Sequence, residues 1–325
     1  SQTWKGEGMD PETSQAKKWP SQHAQVWAAL QTGTPLPPPK APFVFSKFID
    51  LLRAAGVNVE KKGHDFIAPP LTDRHILAMA PHALPAPHLA VVQKETSKGV
   101  VDLHAEKGGL FDDKLTGGIG GRQWTHIKLA EPIANPLFEM PIRHLTGLKD
   151  KEYEGICHGT MAVTQAGRVV ALGAEKGAVT GGAGIKRLLE TIDPARDLAA
   201  TRKALDAAPA SRKDALLKKA KVLRALVDTQ MRPEEAYVLH HLPVLPPALR
   251  PLAMLPGTGD VRFEDINGLY KAMGLQNSKL GEVKSKGFLP EAELAGLRKG
   301  VYESARSIIG YGIPYDQAKY KGIFH

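Results

Sequence analysis

The chain has little of several residue types on which whole classes of protein depend. Its 325 residues include one cysteine, Cys157, which excludes an internal disulfide framework and fits a reducing compartment. No stretch approaches the roughly 18 to 20 apolar residues that span a bilayer, and residues 1–20 have no apolar run typical of a signal peptide. We therefore expect a cytoplasmic protein.

Aromatic residues are also sparse, at 6%, whereas the chain has 25 prolines and 32 glycines. This composition predicts several modest pieces joined by loops rather than one compact domain. Together with the helices and short strands predicted below, the expected fold class is mixed α+β, mainly helical. The formal net charge is +9. A basic surface attracts polyanions such as nucleic acid, although many basic proteins have no nucleic-acid role.

Hydrophobic periodicity predicts a strand over 168–173 and helices over 185–192, 194–208 and 211–229. Residues 126–138 have the character of a strand and turn. The last helix carries one apolar stripe and many cations. A solvated helix face is the usual interpretation of such cations, and contact with nucleic acid is the alternative.

Two further helical patterns cover residues 265–309, with a break near Pro290. Two heptad-patterned arms joined by a short turn predict an antiparallel hairpin that projects from the protein. The alternative is a pair of helices packed into a globular core.

No catalytic constellation is visible in the sequence. The glycine-rich run at 177–186 lacks the Gly-Lys-Ser/Thr ending of a phosphate loop, so we interpret it as a flexible lead-in to a helix. His75, His82 and His88 have no cysteine or acidic partner at metal-ligand spacing. We expect this chain to bind no cofactor or metal of its own.

Three consecutive segments resemble the large subunits of bacterial-type RNA polymerase. They read RPEE at 232–235, LPVLPPALRP at 242–251 and DVRFEDINGLY at 260–270, and they resemble the beta-prime run from the clamp core through the lid into the clamp helices. Prolines fix backbone shape, so a ten-residue match with four prolines is specific. Upstream, EKGGLFD at 106–112 and HIKLAEP at 126–132 resemble two N-terminal beta-prime motifs.

The resemblance also has departures. In the bacterial family a four-cysteine zinc ribbon lies between the two upstream motifs, and here about a dozen residues without cysteine intervene. This suggests a divergent polymerase, such as one encoded by a phage. Further upstream, PFVFSKF at 42–48 and LLRAAGVNV at 51–59 resemble the end of a beta subunit, so the order is that of a beta to beta-prime fusion.

The resemblance implies a division of the chain into consecutive pieces. These are a beta-like tail (1–67), an unassigned linker (68–103), a clamp core and lid without a zinc ribbon (104–263), a clamp-helix coiled coil (264–309) and the start of the rudder (310–325).

The resemblance also implies two groups of site residues. Those expected to contact nucleic acid are Arg250, Arg262, Phe263, Lys319 and Lys321, with Arg262 at the position of a lid arginine that meets RNA. Those expected to dock an initiation factor of the sigma type are Gln276, Asn277, Lys279 and Lys284.

The family's catalytic loop, which holds Mg²⁺ through three aspartates, does not occur in the sequence. The resemblance therefore implies a non-catalytic part of an RNA polymerase, a nucleotidyltransferase, with Mg²⁺ in a partner chain. Expected partners are the other polymerase subunits, DNA and RNA, with a sigma-like factor as a further candidate. The alternative is a free-standing, polymerase-derived protein that captures sigma or DNA and regulates transcription.

Overall fold

The computed structural model describes residues 58–62, 65–67, 72–85, 87–89, 91–95, 101–254, 261–263, 265–287 and 290–309, together with Arg53 and Pro70. The predicted site residues Lys319 and Lys321 lie outside the described residues. Within this part of the chain the fold is mixed α+β and mainly helical, which confirms the predicted fold class. Every described helix is too short or too polar to cross a membrane.

The described strands are short. They are β1 (Glu60–Lys62), β2 (Asp65–Ile67), β3 (His82–Ala83), β4 (Val91–Glu95), β5 (Val101–Ala105), β6 (Thr125–Ala134), β7 (Met161–Val163), β8 (Val169–Ala171), β9 (Val238–Val244), β10 (Leu252–Met254) and β11 (Val261–Phe263). The described helices are α1 (Asp73–Met79), α2 (Asp113–Thr116), α3 (Glu139–Thr146), α4 (Asp150–His158), α5 (Gly181–Leu189), α6 (Pro194–Asp206), α7 (Ala210–Thr229), α8 (Pro233–Tyr237), α9 (Asp265–Lys286) and α10 (Ala295–Ile308).

The strands form small sheets. Four antiparallel pairs, β1–β2, β4–β5, β7–β8 and β10–β11, stand alone. One three-stranded sheet has the order β3–β6–β9, and in it β3 runs parallel to β6 with His82 opposite Thr125. Because none of these sheets is large enough to form a core alone, helices and loops must supply most of the buried surface.

The chain divides into two compact units, and each is discontinuous in sequence. The first comprises residues 1–128, 242–275 and 303–325, and the second comprises 129–241 and 276–302. The sequence-based division used consecutive pieces instead, and its boundaries stay predictions. Residues 68–103, which had no assignment, include α1, β3 and β4.

Polar caps set the local structure of the first unit. The Asp112 carboxylate accepts hydrogen bonds from the backbone N–H groups of Lys114 (2.7 Å) and Leu115 (3.1 Å), which satisfies the open N-terminus of α2. It also accepts from the Gly108 N–H, and these bonds outweigh the effect of burial and lower the pKa of Asp112. The EKGGLFD motif is therefore a closed turn, with Leu110 and Phe111 buried.

The second unit is a cluster of helices. The helices α6 and α7 pack along each other and are joined by residues 207–209, so they form an antiparallel pair. Their bounds, and the strand β8, confirm the elements predicted at 194–208, 211–229 and 168–173. The buried Tyr153 and Tyr302 hydroxyls form a hydrogen bond of 2.9 Å, and burial raises the pKa of both phenols.

The glycine-rich run before α5 allows close packing. A Cβ atom on Gly182 would lie 2.2 Å from the Pro132 carbonyl oxygen and 2.6 Å from the Ile133 nitrogen, which is far inside any real contact. The first turn of α5 therefore touches the backbone of β6. Gly182 thus has a packing role, because it lets two backbones approach each other. The predicted flexibility of the run stays a prediction.

Helices α9 and α10 lie where the sequence predicts two helical arms. From Arg298 to Ile308, however, α10 has only one exposed residue, Lys299. A projecting hairpin would leave most of each arm in solvent. The burial of α10 favours the alternative interpretation, in which this helix is packed within the protein.

We predict that Gly182→Ala lowers the free energy of unfolding by about 1–3 kcal/mol, since the added methyl group overpacks the contact between α5 and β6. The matched control is Gly296→Ala in α10, where a Cβ atom would meet nothing within 4 Å. That change should alter stability by less than about 0.5 kcal/mol, because Gly296 is exposed in the first turn of α10. Urea unfolding of the full chain measures both. Equal effects of the two changes would contradict the close approach.

Candidate nucleic-acid interface

One buried arginine lies at the centre of the first unit. The guanidinium of Arg250 donates from Nε to the Leu245 carbonyl oxygen (2.7 Å), from Nη1 to Asn267 Oδ1 (2.9 Å) and from Nη2 to the Leu110 carbonyl oxygen. Its Cζ atom lies 4.8 Å from the centre of the Phe111 ring, in cation–π geometry. The residue has no exposed surface.

This arginine joins three of the segments that carry the sequence resemblance. Leu110 belongs to EKGGLFD, Leu245 to LPVLPPALRP and Asn267 to DVRFEDINGLY. The Asn267 amide also donates to the Arg250 carbonyl oxygen at 2.9 Å. We name these contacts the Arg250 node, comprising Leu110, Phe111, Leu245, Arg250 and Asn267.

The prediction that Arg250 contacts nucleic acid is therefore corrected. Its guanidinium donates to protein oxygen atoms and is sealed from solvent, so it has no surface to offer a phosphate group. Burial lowers the pKa of Arg250 to about 9, which still leaves the side chain charged at neutral pH. Three acceptors and an aromatic face compensate the buried charge.

Arg262 differs from Arg250, because it is exposed. It lies on β11 opposite Ala253 of β10. Successive side chains on a strand point to opposite faces, and the neighbouring residue, Phe263, packs its ring against Phe111 at 5.9 Å between centroids. The Arg250 node thus anchors one face of the β10–β11 hairpin, while Arg262 lies on the other.

Phe263 is only half-exposed. Its contact with Phe111 gives it a packing role, and the part of its ring that remains accessible lies next to Arg262 in sequence. Its predicted contact with nucleic acid stays a prediction, restricted to that accessible part.

The four predicted factor-docking residues separate into buried and exposed pairs. Gln276 and Asn277 are buried. Asn277 Oδ1 accepts a hydrogen bond from the Ala130 N–H at 2.8 Å, and the Gln276 amide lies against Gly300. Both are corrected to packing residues, because neither has a free surface for a partner. Lys279 and Lys284 are exposed, and docking at these two stays a prediction.

Lys284 belongs to an ionic cluster that sequence reasoning missed. Glu131 on β6 receives Arg298 in a two-pronged contact (2.7 and 2.9 Å) and Lys284 Nζ at 2.9 Å. Arg298 also meets Glu291 at 2.6 Å. Burial alone would raise the pKa of Glu131, but its bonds to Arg298 and Lys284 lower that pKa below the usual value. The Glu131–Arg298 pair is separated by 167 residues, so no local signal reveals it.

Histidine and cysteine side chains in the described residues have structural surroundings. His75 lies in the capping box of α1, His126 Nδ1 lies 2.7 Å from the Ala80 carbonyl oxygen, and Cys157 is buried. Among the described residues, no three His, Cys, Asp or Glu side chains are grouped to hold a metal ion. The predicted lack of a zinc ribbon stays a prediction.

The chain contains a region similar to the large beta-prime and gamma subunits of DNA-directed RNA polymerase. It is 28% identical over 243 residues, or 71% of the chain, to the polymerase subunit beta′ of Mesoplasma florum. It is 37% identical over 103 residues, or 31% of the chain, to subunit beta′ of Adiantum capillus-veneris. It is 30% identical over 138 residues, or 42% of the chain, to subunit gamma of Synechococcus sp. strain JA-2-3B'a(2-13).

These matches cover small parts of the relatives. The aligned regions span 19%, 15% and 22% of the three relatives' own lengths. No protein-family model matches the chain. The similarity therefore supports a beta-prime-like region of a multisubunit RNA polymerase component.

We predict that Arg250→Lys destabilises the protein by about 3 kcal/mol or more. Lysine keeps the charge but lacks the planar fork that reaches three acceptors, so at least two buried oxygen atoms lose their donors. The control, Arg262→Lys, should change the free energy of unfolding by less than about 0.5 kcal/mol, since this side chain is exposed. Urea unfolding monitored by tryptophan fluorescence compares the two. A small effect at Arg250 would show that the node is dispensable.

Proposed function

We propose that the chain is a non-catalytic component of a multisubunit DNA-directed RNA polymerase and forms the part of the clamp that holds DNA and the RNA–DNA hybrid. The observation that carries this proposal is the Arg250 node. Three segments that resemble beta-prime at separate places in the sequence meet there in space, around one buried arginine. Separate motifs that were similar by chance would have no reason to share one set of contacts.

The β10–β11 hairpin supplies the working surface in this proposal. Arg262 presents a cation that pairs with phosphate oxygen atoms. Val261 and the accessible part of Phe263 lie on the opposite face of the strand and offer an apolar surface. A hairpin with this composition is suited to act as a wedge that keeps the transcript and the template strand from re-pairing.

The remaining parts of the proposal concern the ends of the chain and its source. We propose that residues 1–67 correspond to the tail of a beta-type subunit, on the support of the motifs at 42–59, and that the divergent chain is phage-encoded. Initiation-factor docking would use Lys279 and Lys284 on α9. Nucleotidyl transfer and its Mg²⁺ would be supplied by a partner chain, which agrees with the missing three-aspartate loop.

We predict that the chain purified from its native source brings with it other polymerase subunits, one of which contains the three-aspartate loop. The measurement is affinity purification followed by mass spectrometry of the co-purifying polypeptides. Recovery of the chain alone, as a stable monomer, would contradict the subunit proposal and support a free-standing regulator. An unrelated protein with a similar isoelectric point, purified in the same way, controls for nonspecific charge binding.

We predict that Arg262→Ala, in the reconstituted enzyme, weakens separation of the transcript from the template, because the wedge loses its phosphate contact. The expected result is a longer RNA–DNA hybrid, measured as increased ribonuclease H cleavage of the RNA in stalled complexes. The control is Lys271→Ala, which removes an exposed cation on α9 in the same unit. If the two variants give the same hybrid length, Arg262 does not act as the lid arginine.

A further inference from the structure

Among the described residues, the most exposed run lies where α6 and α7 are joined. From Arg202 to Ala215 no residue is buried. The apolar residues that hold the pair in place lie further along α7, where Leu223 and Leu226 are buried. This pair, rather than α9 and α10, therefore extends into solvent.

The pair is also strongly basic. Residues 194–229 contain nine lysines and arginines and four aspartates, a net charge of +5. The net charge of the whole 325-residue chain is +9. More than half of the chain's excess charge thus lies in this helical pair.

Most of these cations have no acidic partner. Lys218 pairs with Asp214 at 2.7 Å and Arg224 with Asp228 at 3.5 Å, and Arg196 pairs with Asp197 at 3.1 Å. Among the described residues no ion pair engages the other six. We name these the α6–α7 cation cluster: Arg202, Lys203, Arg212, Lys213, Lys219 and Lys221.

The placement of the cations does not favour the helix itself. Lys218 and Lys221, and again Lys221 and Arg224, are three residues apart, so they are like-charge neighbours on the helix surface, an arrangement that destabilises an isolated helix. Lys213 and Lys221 lie on one face, about 12 Å apart along the axis, with the half-exposed Leu217 between them. Lys218 and Arg224 each have an aspartate four positions away, whereas Lys213 and Lys221 have no acidic residue three or four positions away.

We propose that the exposed end of the α6–α7 pair binds the phosphate backbone of duplex DNA. A row of uncompensated cations complements a polyanion. Residues 194–229 contain no aromatic side chain, whereas proteins that bind single strands use aromatic side chains to stack the bases. The site contacts phosphates without reading sequence, and it is separate in the chain from the β10–β11 hairpin. The inference rests on the proposed function for the presence of DNA beside this chain.

The test uses the full chain and a fluorescently labelled DNA duplex of random sequence. The variant Lys203→Gln/Lys213→Gln/Lys221→Gln removes three cations of the cluster. Fluorescence anisotropy gives the affinity at several salt concentrations. Each lost phosphate contact should reduce the slope of log affinity against log salt by about 0.9, so the slope should fall by about 2–3. The affinity at low salt should fall by about tenfold or more.

The matched control changes net charge equally at another place. Lys151→Gln/Lys176→Gln/Lys299→Gln removes three exposed lysines of the same unit. Its salt slope should stay close to that of the unaltered chain. Equal slopes in the two triple variants, or no DNA binding by the unaltered chain, would overturn the proposal.

Two further ligands test whether the surface binds duplex DNA, single-stranded DNA or an acidic protein. Tighter binding of a single-stranded oligonucleotide than of the duplex would contradict the duplex assignment. Tighter binding of poly-glutamate than of the duplex would assign the surface to an acidic protein. Co-purification of polymerase subunits separates failure of this site from failure of the proposed function. If the cluster variant still assembles with the subunits and binds DNA as well as the unaltered chain, only this site is overturned. If the unaltered chain itself does not assemble with the subunits, the proposed function is overturned.

Discussion

The first unit depends on a charge that is buried where no solvent can reach it. Arg250 is tolerated there because its donors meet three oxygen atoms and its plane lies over Phe111. Burying a charge without such partners costs more than a domain of this size has in net stability. The three segments that supply the partners must therefore be in place together. The Arg250 node therefore holds together turns and loops that the short strands cannot fix in place by their own hydrogen bonds.

The Arg250 node also explains how the exposed β10–β11 hairpin can keep a defined orientation. The pair β10–β11 is too small to be stable alone, and its position depends on Phe263 against Phe111, which in turn lies under Arg250. Arg250 thus helps to position Arg262 through the packed rings of Phe111 and Phe263. Arg250 and Arg262 are twelve positions apart in the sequence and have different roles. Arg250 holds the hairpin in place, and Arg262 presents its charge.

Sequence reasoning predicted secondary structure better than it predicted burial. The apolar stripe of α7 and the valine-rich β8 gave correct elements, because local periodicity carries that information. The resemblance assigned Arg250, Gln276 and Asn277 to contact surfaces, because a matching position in a motif carries no information about burial in this chain. Each is buried by a partner far along the chain, such as Ala130 for Asn277. The Glu131–Arg298 pair was missed for the same reason.

The two helical pairs show why hydrophobic periodicity does not predict whether a helix pair projects into solvent. Both α6–α7 and α9–α10 have stripes of apolar residues, and the heptad spacing of the second suggested the free-standing arm. In α10, however, Gly300, Ser304 and Ser307, which lie outside the stripe, are also buried, and such small residues permit contact on several sides. In the first half of α7 the corresponding positions carry lysine and arginine, whose hydrated charges oppose burial. The identity of the residues between the stripe positions, more than the stripe itself, decides which helix pair meets solvent and is free to meet a polyanion.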